Sequence, residues 1–248
     1  MIDDLVAEMR AAVDNARARD DRSGYFAGLY LGVTTAVERG LRDGDFATPE
    51  RLSDLTVTFA RRYLDALGLH NGVGRPPESW QVAFEAARTW RPTVLQHLLL
   101  GINAHINLDL GIAAAQVAPG ESIVDLEPDF IQINELLAGL VWDVQSRMNR
   151  VSPLYRFVDD ITGDVDHAVV NFSIARARNA AWQLARQLAP LDQASAESII
   201  SDRDVEVARL AQRVLRPGTI ASTGLFVVRL TELRHPREVI DILANSEI

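Results

Sequence analysis

One apolar stretch of the sequence, residues 97–110 (HLLLGINAHINLDL), carries side chains that could take part in chemistry. If the stretch is helical, a rotation of about 100° per residue places His97, His105 and Asp109 within one sector of about 120°. The rest of the circumference is mainly Leu, Ile and Ala, so this stripe should face the interior. His105 and Asp109, four residues apart, could bind one metal ion or form an acid–base pair. With His97 as a general base, these three are the candidate catalytic residues.

A structural role for the same polar residues is the alternative. A buried polar group without a partner costs about 1–3 kcal/mol, so a core helix that contains His, Asn and Asp must find partners for them. Asn103, on another side of the helix, could bond to a neighbouring helix or could bind substrate. For one buried histidine the structural interpretation is preferable, but the clustering of His97, His105 and Asp109 favours a functional site.

A second polar group lies in residues 164–182 (DVDHAVVNFSIARARNAAW). Spacings of four and seven residues place His167 and Arg178 on one helical face. His167 is the natural third histidine for a site shared with His105 and Asp109. Arg178 could hold a carboxylate or phosphate group of a substrate through two parallel hydrogen bonds, and a surface position is the alternative for it.

Two aspartates are further candidate metal ligands. Asp129 follows Pro128 at the expected start of a helix, where a carboxylate favours the helix dipole, so capping is the other interpretation. Asp160 belongs to VDDITGDVDH, which resembles the aspartate-rich motif by which class I terpene cyclases hold magnesium and diphosphate; a solvated acidic loop is the alternative. Tyr30 and Thr34, four apart on an amphipathic helix, could line a substrate pocket or lie on a half-exposed face.

These residues together favour an enzyme that acts on a small molecule. In the first interpretation, a divalent Zn, Fe or Mn ion held by the histidines and aspartates named above lowers the pKa of a bound water, and the enzyme is a hydrolase. In the second, a metal-independent cyclase, lyase or isomerase of polyketide or terpenoid metabolism uses His and Asp for proton transfer in an apolar pocket. In the third, the chain is a non-catalytic ligand-binding or scaffold protein.

Almost every segment that must position these side chains has apolar residues at a helical period. We expect an all-α fold, with a single domain over residues 1–248 that forms a multi-helix bundle around a buried central helix at about 92–117. The predicted helices span about 2–18, 23–42, 48–68, 78–89, 92–117, 128–149, 166–189, 195–215, 219–234 and 236–246. The segment LFVVRL is the one stretch that could also form a strand.

The composition argues against several functional classes. The net charge of −9 disfavours nucleic acid and anionic membrane surfaces as partners. The chain has no cysteine and no lysine, which excludes disulfides, thiolate sites and lysine Schiff bases. It also lacks the glycine fingerprint of a nucleotide cofactor site. Without a signal peptide or an uninterrupted apolar run of about 18 residues, we expect a cytoplasmic protein, and apolar C-terminal helices could form a homodimer.

The stretch QHLLLGINAHINLDL, preceded by FARRYLDAL and W-x-x-x-F and followed by DF-x-x-IN and AAW-x-x-A, resembles an uncharacterised, mainly actinobacterial family of unknown function. This resemblance covers about residues 20–190 and implies no activity. The segment HINLD also resembles the H-x-x-x-D ligand pair of the zinc-dependent phospholipase C and P1-type nuclease superfamily of all-α metal hydrolases. That resemblance implies metal binding by His105 and Asp109. Because Gly101 and Asn171 stand where further ligands would be needed, it implies at most one metal instead of a trinuclear site.

Overall fold

The chain is helical wherever the structure, a computed structural model, describes regular elements; it describes residues 2–44, 46, 48–139, 141–154 and 174–245. No strand occurs within these ranges, which confirms the predicted all-α, multi-helix fold. The α-helices are, in chain order, α1 Ile2–Ala18, α2 Gly24–Asp43, α3 Pro49–Asn71, α4 Glu78–Ala87, α5 Val94–Ala104, α6 Leu110–Val117, α7 Ile123–Gly139, α8 Val141–Val151, α9 Ile174–Leu188, α10 Gln193–Leu215, α11 Thr219–Thr231 and α12 Pro236–Ala244. A π-helix, His105–Asp109, joins α5 to α6.

The central helix consists of α5, the π-helix and α6, and runs without a break from Val94 to Val117. It begins at a capping box, in which the backbone N–H of Gln96 donates to the Thr93 hydroxyl at 3.1 Å and the Thr93 N–H donates to the Gln96 side chain at 3.0 Å. It ends before Pro119, which cannot continue a helix. By length and composition it could cross a membrane, with a mean hydropathy of 1.4, but 83% of that window is buried inside the fold. The core helix of a soluble protein has the same properties.

Other helices pack along the whole length of the central helix. Helices α2 and α4 pack on α5, α3 and α9 pack on α6, and α10 lies along α5 and the π-helix. Leu98, Leu100 and Leu108 of the central helix are fully enclosed as a result. Helices α1 and α12 pack on α2 and on each other. The polar groups of the central helix therefore face other helices and not solvent.

Two helix boundaries differ from those predicted. Helix α3 continues beyond Gly68 and ends at Asn71, so Gly68 is a helical residue and not the residue after the helix. A glycine inside a helix costs about 1 kcal/mol relative to alanine, and the buried packing of Tyr63 on the same helix offsets that cost. Helix α7 begins at Ile123, so the prediction that Pro128 starts this helix is wrong. Proline removes one backbone hydrogen bond from a helix, and α7 tolerates this loss.

The segment LFVVRL is helical and forms part of α11, so the ambiguity left by its β-branched residues is resolved. Its outer face leaves Phe226, Val227 and Leu230 exposed. The ring of Phe226 contacts the exposed ring of Trp90, with ring centroids 6.0 Å apart. Because exposed apolar patches often mark interaction sites, a homodimer through this face remains a prediction.

The close contact between α6 and α9 predicts opposite effects for two Gly→Ala substitutions. A Cβ atom at Gly111 would lie 2.6 Å from the carbonyl oxygen of Ala181, whereas one at Gly68 would meet nothing within 4 Å. We expect Gly111→Ala to lower the free energy of unfolding by about 1–3 kcal/mol because the helices must separate. We expect Gly68→Ala to raise it by about 0.5–1 kcal/mol through better helix propensity. Urea unfolding followed by circular dichroism measures both, and equal effects would contradict the close contact.

Candidate functional site

His105 and Asp109 form a buried pair on the π-helix. Nδ1 of His105 lies 3.1 Å from Oδ2 of Asp109, and the two residues are only 2% and 1% exposed. In this widened turn the backbone N–H of Leu110 donates to the carbonyl oxygen of His105, five residues earlier. Single π-turns are rare and often occur at functional sites. The sequence predicted that the two side chains face the same way, but not the widened turn that carries them.

Two further side chains hold the Asp109 carboxylate. Nε of Arg62 in α3 donates to Oδ1 at 3.1 Å, and Nε1 of Trp80 in α4 donates to Oδ2 at 2.8 Å. A buried carboxylate is stable only when its charge is paired and its oxygens are bonded, and Arg62 and Trp80 meet both conditions. Sequence reasoning missed these partners because they lie on other helices. Their only signal was their presence in FARRYLDAL and W-x-x-x-F, the segments that accompany the central stretch in the family resemblance.

Aromatic rings enclose the imidazole of His105. Phe59 stacks on one face of it, with ring centroids 3.6 Å apart and an angle of 7° between the planes. Tyr30 meets it edge-on at 4.4 Å, so the structure brings this predicted substrate-binding residue to the site. The other members of this aromatic cage lie between 5.7 and 6.2 Å from the imidazole: Phe26, Trp80 and Tyr63. The cage keeps the ring away from water.

These contacts set the protonation state of His105. Burial lowers the pKa of His105, and the hydrogen bond and charge of Asp109 act against that shift. The ring is therefore neutral near pH 7, and since an ionised carboxylate only accepts hydrogen bonds, the proton lies on Nδ1. Nε2 then carries a lone pair, and this atom is buried without a hydrogen-bond partner in the part of the chain that the structure describes. A free lone pair in a dry cage can accept a proton or bind a metal ion.

His97 is the second buried histidine of the central helix, and it is 5% exposed. Burial, together with the nearby guanidinium groups of Arg22 and Arg229, lowers the pKa of His97 to about 3. The Nε2 atom of His97 is also buried, and no described group forms a hydrogen bond with it. Its ring packs edge-on against Tyr25, with centroids 5.5 Å apart. His97 is thus neutral, and no hydrogen bond in the described part of the chain joins it to the pair formed by His105 and Asp109.

A cavity of about 20 Å³ lies beside His97. Arg22 and the rings of Phe26, Tyr63 and Trp80 contribute to its wall, and the space suffices for about one water molecule. The glycine between the two histidines of the central helix also borders it, and a Cβ atom there would lie 2.4 Å from the Phe26 ring. The missing side chain at Gly101 therefore makes room for Phe26.

The opposite side of the central helix carries a fully bonded polar network. Nδ2 of Asn103 donates to the carbonyl oxygen of Val207 in α10 at 2.9 Å, and Nδ2 of Asn107 donates to the Asn103 side chain at 3.0 Å. Arg203 in turn donates to the carbonyl and side-chain oxygens of Asn107 at 2.9 and 3.4 Å. Asn103, a candidate for substrate binding, therefore ties the central helix to α10.

The two other substrate-binding candidates lie apart from one another. The hydroxyl of Thr34 is buried and donates to the carbonyl oxygen of Tyr30 at 2.9 Å, one turn back on its own helix. Arg178 is buried in α9, so the alternative of a surface arginine is wrong. Burial lowers the pKa of its guanidinium group.

Of the five candidate metal ligands, the described residues bring together only the pair His105 and Asp109. Asp129 accepts hydrogen bonds from Thr48 and Arg51, which joins α7 to the start of α3. Since α7 begins at residue 123, the interpretation that Asp129 caps its own helix is wrong. Among the residues described, no three His, Cys, Asp or Glu side chains are grouped so that they could hold a metal ion. His167 and Asp160 lie outside the described residues.

The fold and the site define an all-α protein with a buried, aromatic-caged His–Asp pair on a π-turn of its central helix. The chain belongs to the protein family described as "Family of unknown function (DUF5995)", whose sequence profile matches residues 2–217. This match confirms the resemblance to an uncharacterised family, while the resemblance to the phospholipase C superfamily is not shown. No curated protein and no solved structure matches the chain.

The buried neutral His97 predicts a loss of stability in acid. The pKa of an unperturbed histidine is 6.5, whereas that of His97 in the folded chain is about 3, so below pH 6.5 the unfolded chain binds a proton that the folded chain does not. The contribution of His97 to the free energy of unfolding should therefore fall by about 1.4 kcal/mol per pH unit from roughly pH 6 towards pH 3. Urea unfolding at several pH values, in wild type and His97→Gln, measures the difference in slope.

Comparing wild type with His97→Gln also cancels the pH dependence of stability that the other titrating groups contribute. Burial raises the pKa of Glu232 to about 7 from 4.5, so Glu232 gives the opposite slope between pH 4.5 and 7, equally in both proteins. The stability curve of His97→Gln should therefore be the flatter one on the acid side. Parallel curves for the two proteins would show that His97 is not a buried neutral group.

The buried Asp109 carboxylate pairs with Arg62 and accepts a hydrogen bond from Trp80. We therefore expect Asp109→Asn to lower the free energy of unfolding by about 2–4 kcal/mol. Removing one partner of a buried ion pair costs roughly 3–5 kcal/mol, and the cost is smaller here because the side chain of Arg62 is 23% exposed. Asp54→Asn, an exposed residue of α3, is the control and should change stability by less than about 0.5 kcal/mol. Similar losses for the two variants in urea unfolding would argue against the buried ion pair.

Proposed function

We propose that the chain is an enzyme that acts on a small molecule, with His105 as its general base and Asp109 as the residue that orients this base. One observation carries the proposal: Nδ1 of His105 is held by Asp109, while Nε2 is buried and no group among the described residues bonds it. In catalytic His–Asp pairs the carboxylate fixes the tautomer whose other nitrogen takes the proton. In His105, likewise, Nδ1 is bonded to the carboxylate, and Nε2 is the nitrogen left to take the proton.

The surroundings of His105 support proton abstraction from a largely apolar substrate without a metal ion. In the dry aromatic cage, electrostatic interactions are stronger than in water. When Nε2 takes a proton from a C–H or O–H group, the imidazolium ion that forms is stabilised by the adjacent Asp109 carboxylate, which also pairs with Arg62. These features favour a cyclase, lyase or isomerase, because each of these reactions can begin with such a proton transfer.

A substrate must approach Nε2 along the edge of the imidazole, where its lone pair lies, and it could do so through space opened by a movement of Phe59. This ring covers one face of the imidazole and is half-buried, whereas Phe26, Tyr30 and Tyr63 are buried. Rotamer changes of partly exposed side chains are fast, so such an opening needs no change in the backbone. It is required for the proposal, because the cavity of about 20 Å³ near His97 does not border His105.

A metal-dependent hydrolase is the second candidate, and the same observation favours it. Histidines that bind metals usually donate one ring N–H to a carboxylate and bind the ion through the other nitrogen. In this version Asp109 would orient the ligand His105 and would not bind the ion, since its oxygens already accept hydrogen bonds from Arg62 and Trp80. His167 is the candidate for a further ligand.

Nitrogen-15 NMR of the imidazole rings tests the assignment of His105, with His105→Gln identifying its signals. We expect a neutral ring with its proton on Nδ1 at pH 7, because burial lowers the pKa of His105 from its ordinary value of 6.5. In Asp109→Asn the preference for this tautomer should weaken. A charged ring at pH 7, or a proton on Nε2, would contradict the role of general base.

Catalysis is tested by hydrogen–deuterium exchange at carbon in D2O, with a panel of β-keto esters and 1,3-diketones. We expect exchange with wild type and a rate about 10²–10⁴ times lower with His105→Gln. His235→Gln, at an exposed histidine before α12, is the matched control and should keep the wild-type rate. A rate that is lost with EDTA and restored by Zn, Fe or Mn would favour the metal-dependent candidate. Equal rates for wild type and His105→Gln would contradict both candidates.

A further inference from the structure

The cavity beside His97 brings together polar atoms that no described protein group bonds. Its wall includes Arg22, Tyr63 and His97. Nε of Arg22, the hydroxyl of Tyr63 and Nε2 of His97 are all buried without a hydrogen-bond partner in the described part of the chain. Leaving such groups unpaired carries a free-energy cost, so folded proteins rarely keep several in one place. Three residues that line one cavity thus carry buried groups that need a hydrogen-bond partner, which favours a polar guest.

Two guanidinium groups, those of Arg22 and Arg229, act on His97 at this cavity, whereas one carboxylate, that of Asp21, acts on Tyr63. Arg22 lies beside the hydroxyl of Tyr25 and makes no ion pair with any described carboxylate. The neighbouring Asp21 is engaged elsewhere, since it accepts a hydrogen bond from the N–H of Ser23 at 2.9 Å and lies 3.9 Å from Arg19. A guanidinium group without a counter-ion at a partly buried position favours a negatively charged guest.

A second guanidinium group acts on His97. Arg229, like Arg22, contributes to the lowered pKa of His97. Unlike Arg22, it already has a carboxylate partner, Glu232, at 3.2 Å. Arg22 is therefore the cation near His97 that is left for a guest.

The hydrogen-bonding groups of the cavity match a carboxylate. The guanidinium of Arg22 can donate to one or two oxygens, and the Tyr63 hydroxyl and a neutral His97 can each donate one hydrogen bond. Phe26 and Phe84 supply an apolar wall around these donors. A cavity of about 20 Å³ admits a single small polar group, not a bulky phosphate.

We propose that this cavity, formed by Arg22, Tyr63 and His97 between α2, α3, α4 and α5, binds the carboxylate group of a small organic acid. Arg22 pairs with the charge, and Tyr63 and His97 donate to the carboxylate oxygens. Because Arg22 is half-buried, the carboxylate enters from its side of the cavity and displaces the water that the space would otherwise hold.

The carboxylate site lies next to the aromatic cage. Phe26 and Trp80 border the cavity, and their ring centroids lie 5.7 and 6.0 Å from that of His105. An acid anchored at Arg22 could extend past these rings towards Nε2 of His105. This last step, by which the acid becomes a substrate, rests on the proposed function; the carboxylate site itself does not.

The test is a titration of the full-length protein with sodium formate and sodium acetate, with sodium chloride as the control for ionic strength. Ring signals of His97 and the indole N–H of Trp80 report binding by NMR, and thermal unfolding reports stabilisation. We expect saturable shifts and a higher Tm with formate or acetate but not with chloride. Arg22→Gln should weaken formate binding by about tenfold or more. Arg39→Gln, an exposed arginine of α2, should bind as wild type does.

Ala87→Val provides an independent variant, because Ala87 borders the cavity and two added methyl groups would fill it. It should remain folded and lose formate binding. No saturable shift in wild type, or equal binding in wild type and folded Arg22→Gln or Ala87→Val, would overturn the carboxylate site. His105→Gln should keep formate binding, so a failure of the general-base proposal leaves this result unchanged.

Discussion

The burial of the Asp109 carboxylate is the constraint on which the arrangement around the site depends. An ionised group in an apolar helix is tolerated only with an opposite charge and hydrogen bonds. Arg62 supplies the charge from α3, and Trp80 supplies a hydrogen bond from α4. The position of one carboxylate thus fixes two surrounding helices against the central helix. Apolar packing alone is less directional, since similar hydrophobic side chains can exchange places at modest cost.

The same carboxylate determines what His105 can do. Because Asp109 occupies Nδ1, the only reactive position left on the ring is Nε2, and the aromatic cage keeps water from that atom. The π-turn brings histidine and carboxylate within hydrogen-bond distance in the middle of a buried span. Such turns give up regular α-helical bonding and are often retained where function needs it. The ion pair between Arg62 and Asp109, the tautomer of His105 and the π-turn therefore depend on one another.

Local periodicity accounts for what the sequence could predict. The apolar repeat located the central helix, and the four-residue spacing placed His105 and Asp109 together. Local periodicity could not identify Arg62 or Trp80 as partners of Asp109, because these residues come from other helices and their contacts depend on tertiary packing. The predicted start of α7 was wrong because proline is common in the first turn of a helix, whereas Pro128 lies further inside α7. The metal prediction stays open, since two of its residues lie outside the described ranges.

The two sides of the central helix allow the structural and functional interpretations to be compared within one molecule. On the side of α10, the hydrogen bonds of Asn103 and Asn107 close into a network with Val207 and Arg203. A purely structural network should look like this, because each unpaired buried group would cost stability. On the other side, His105 and His97 each keep a buried nitrogen that none of the described residues bonds. Since the fold can satisfy its polar groups on one side, the open nitrogens on the other side argue for interaction with a molecule outside the chain.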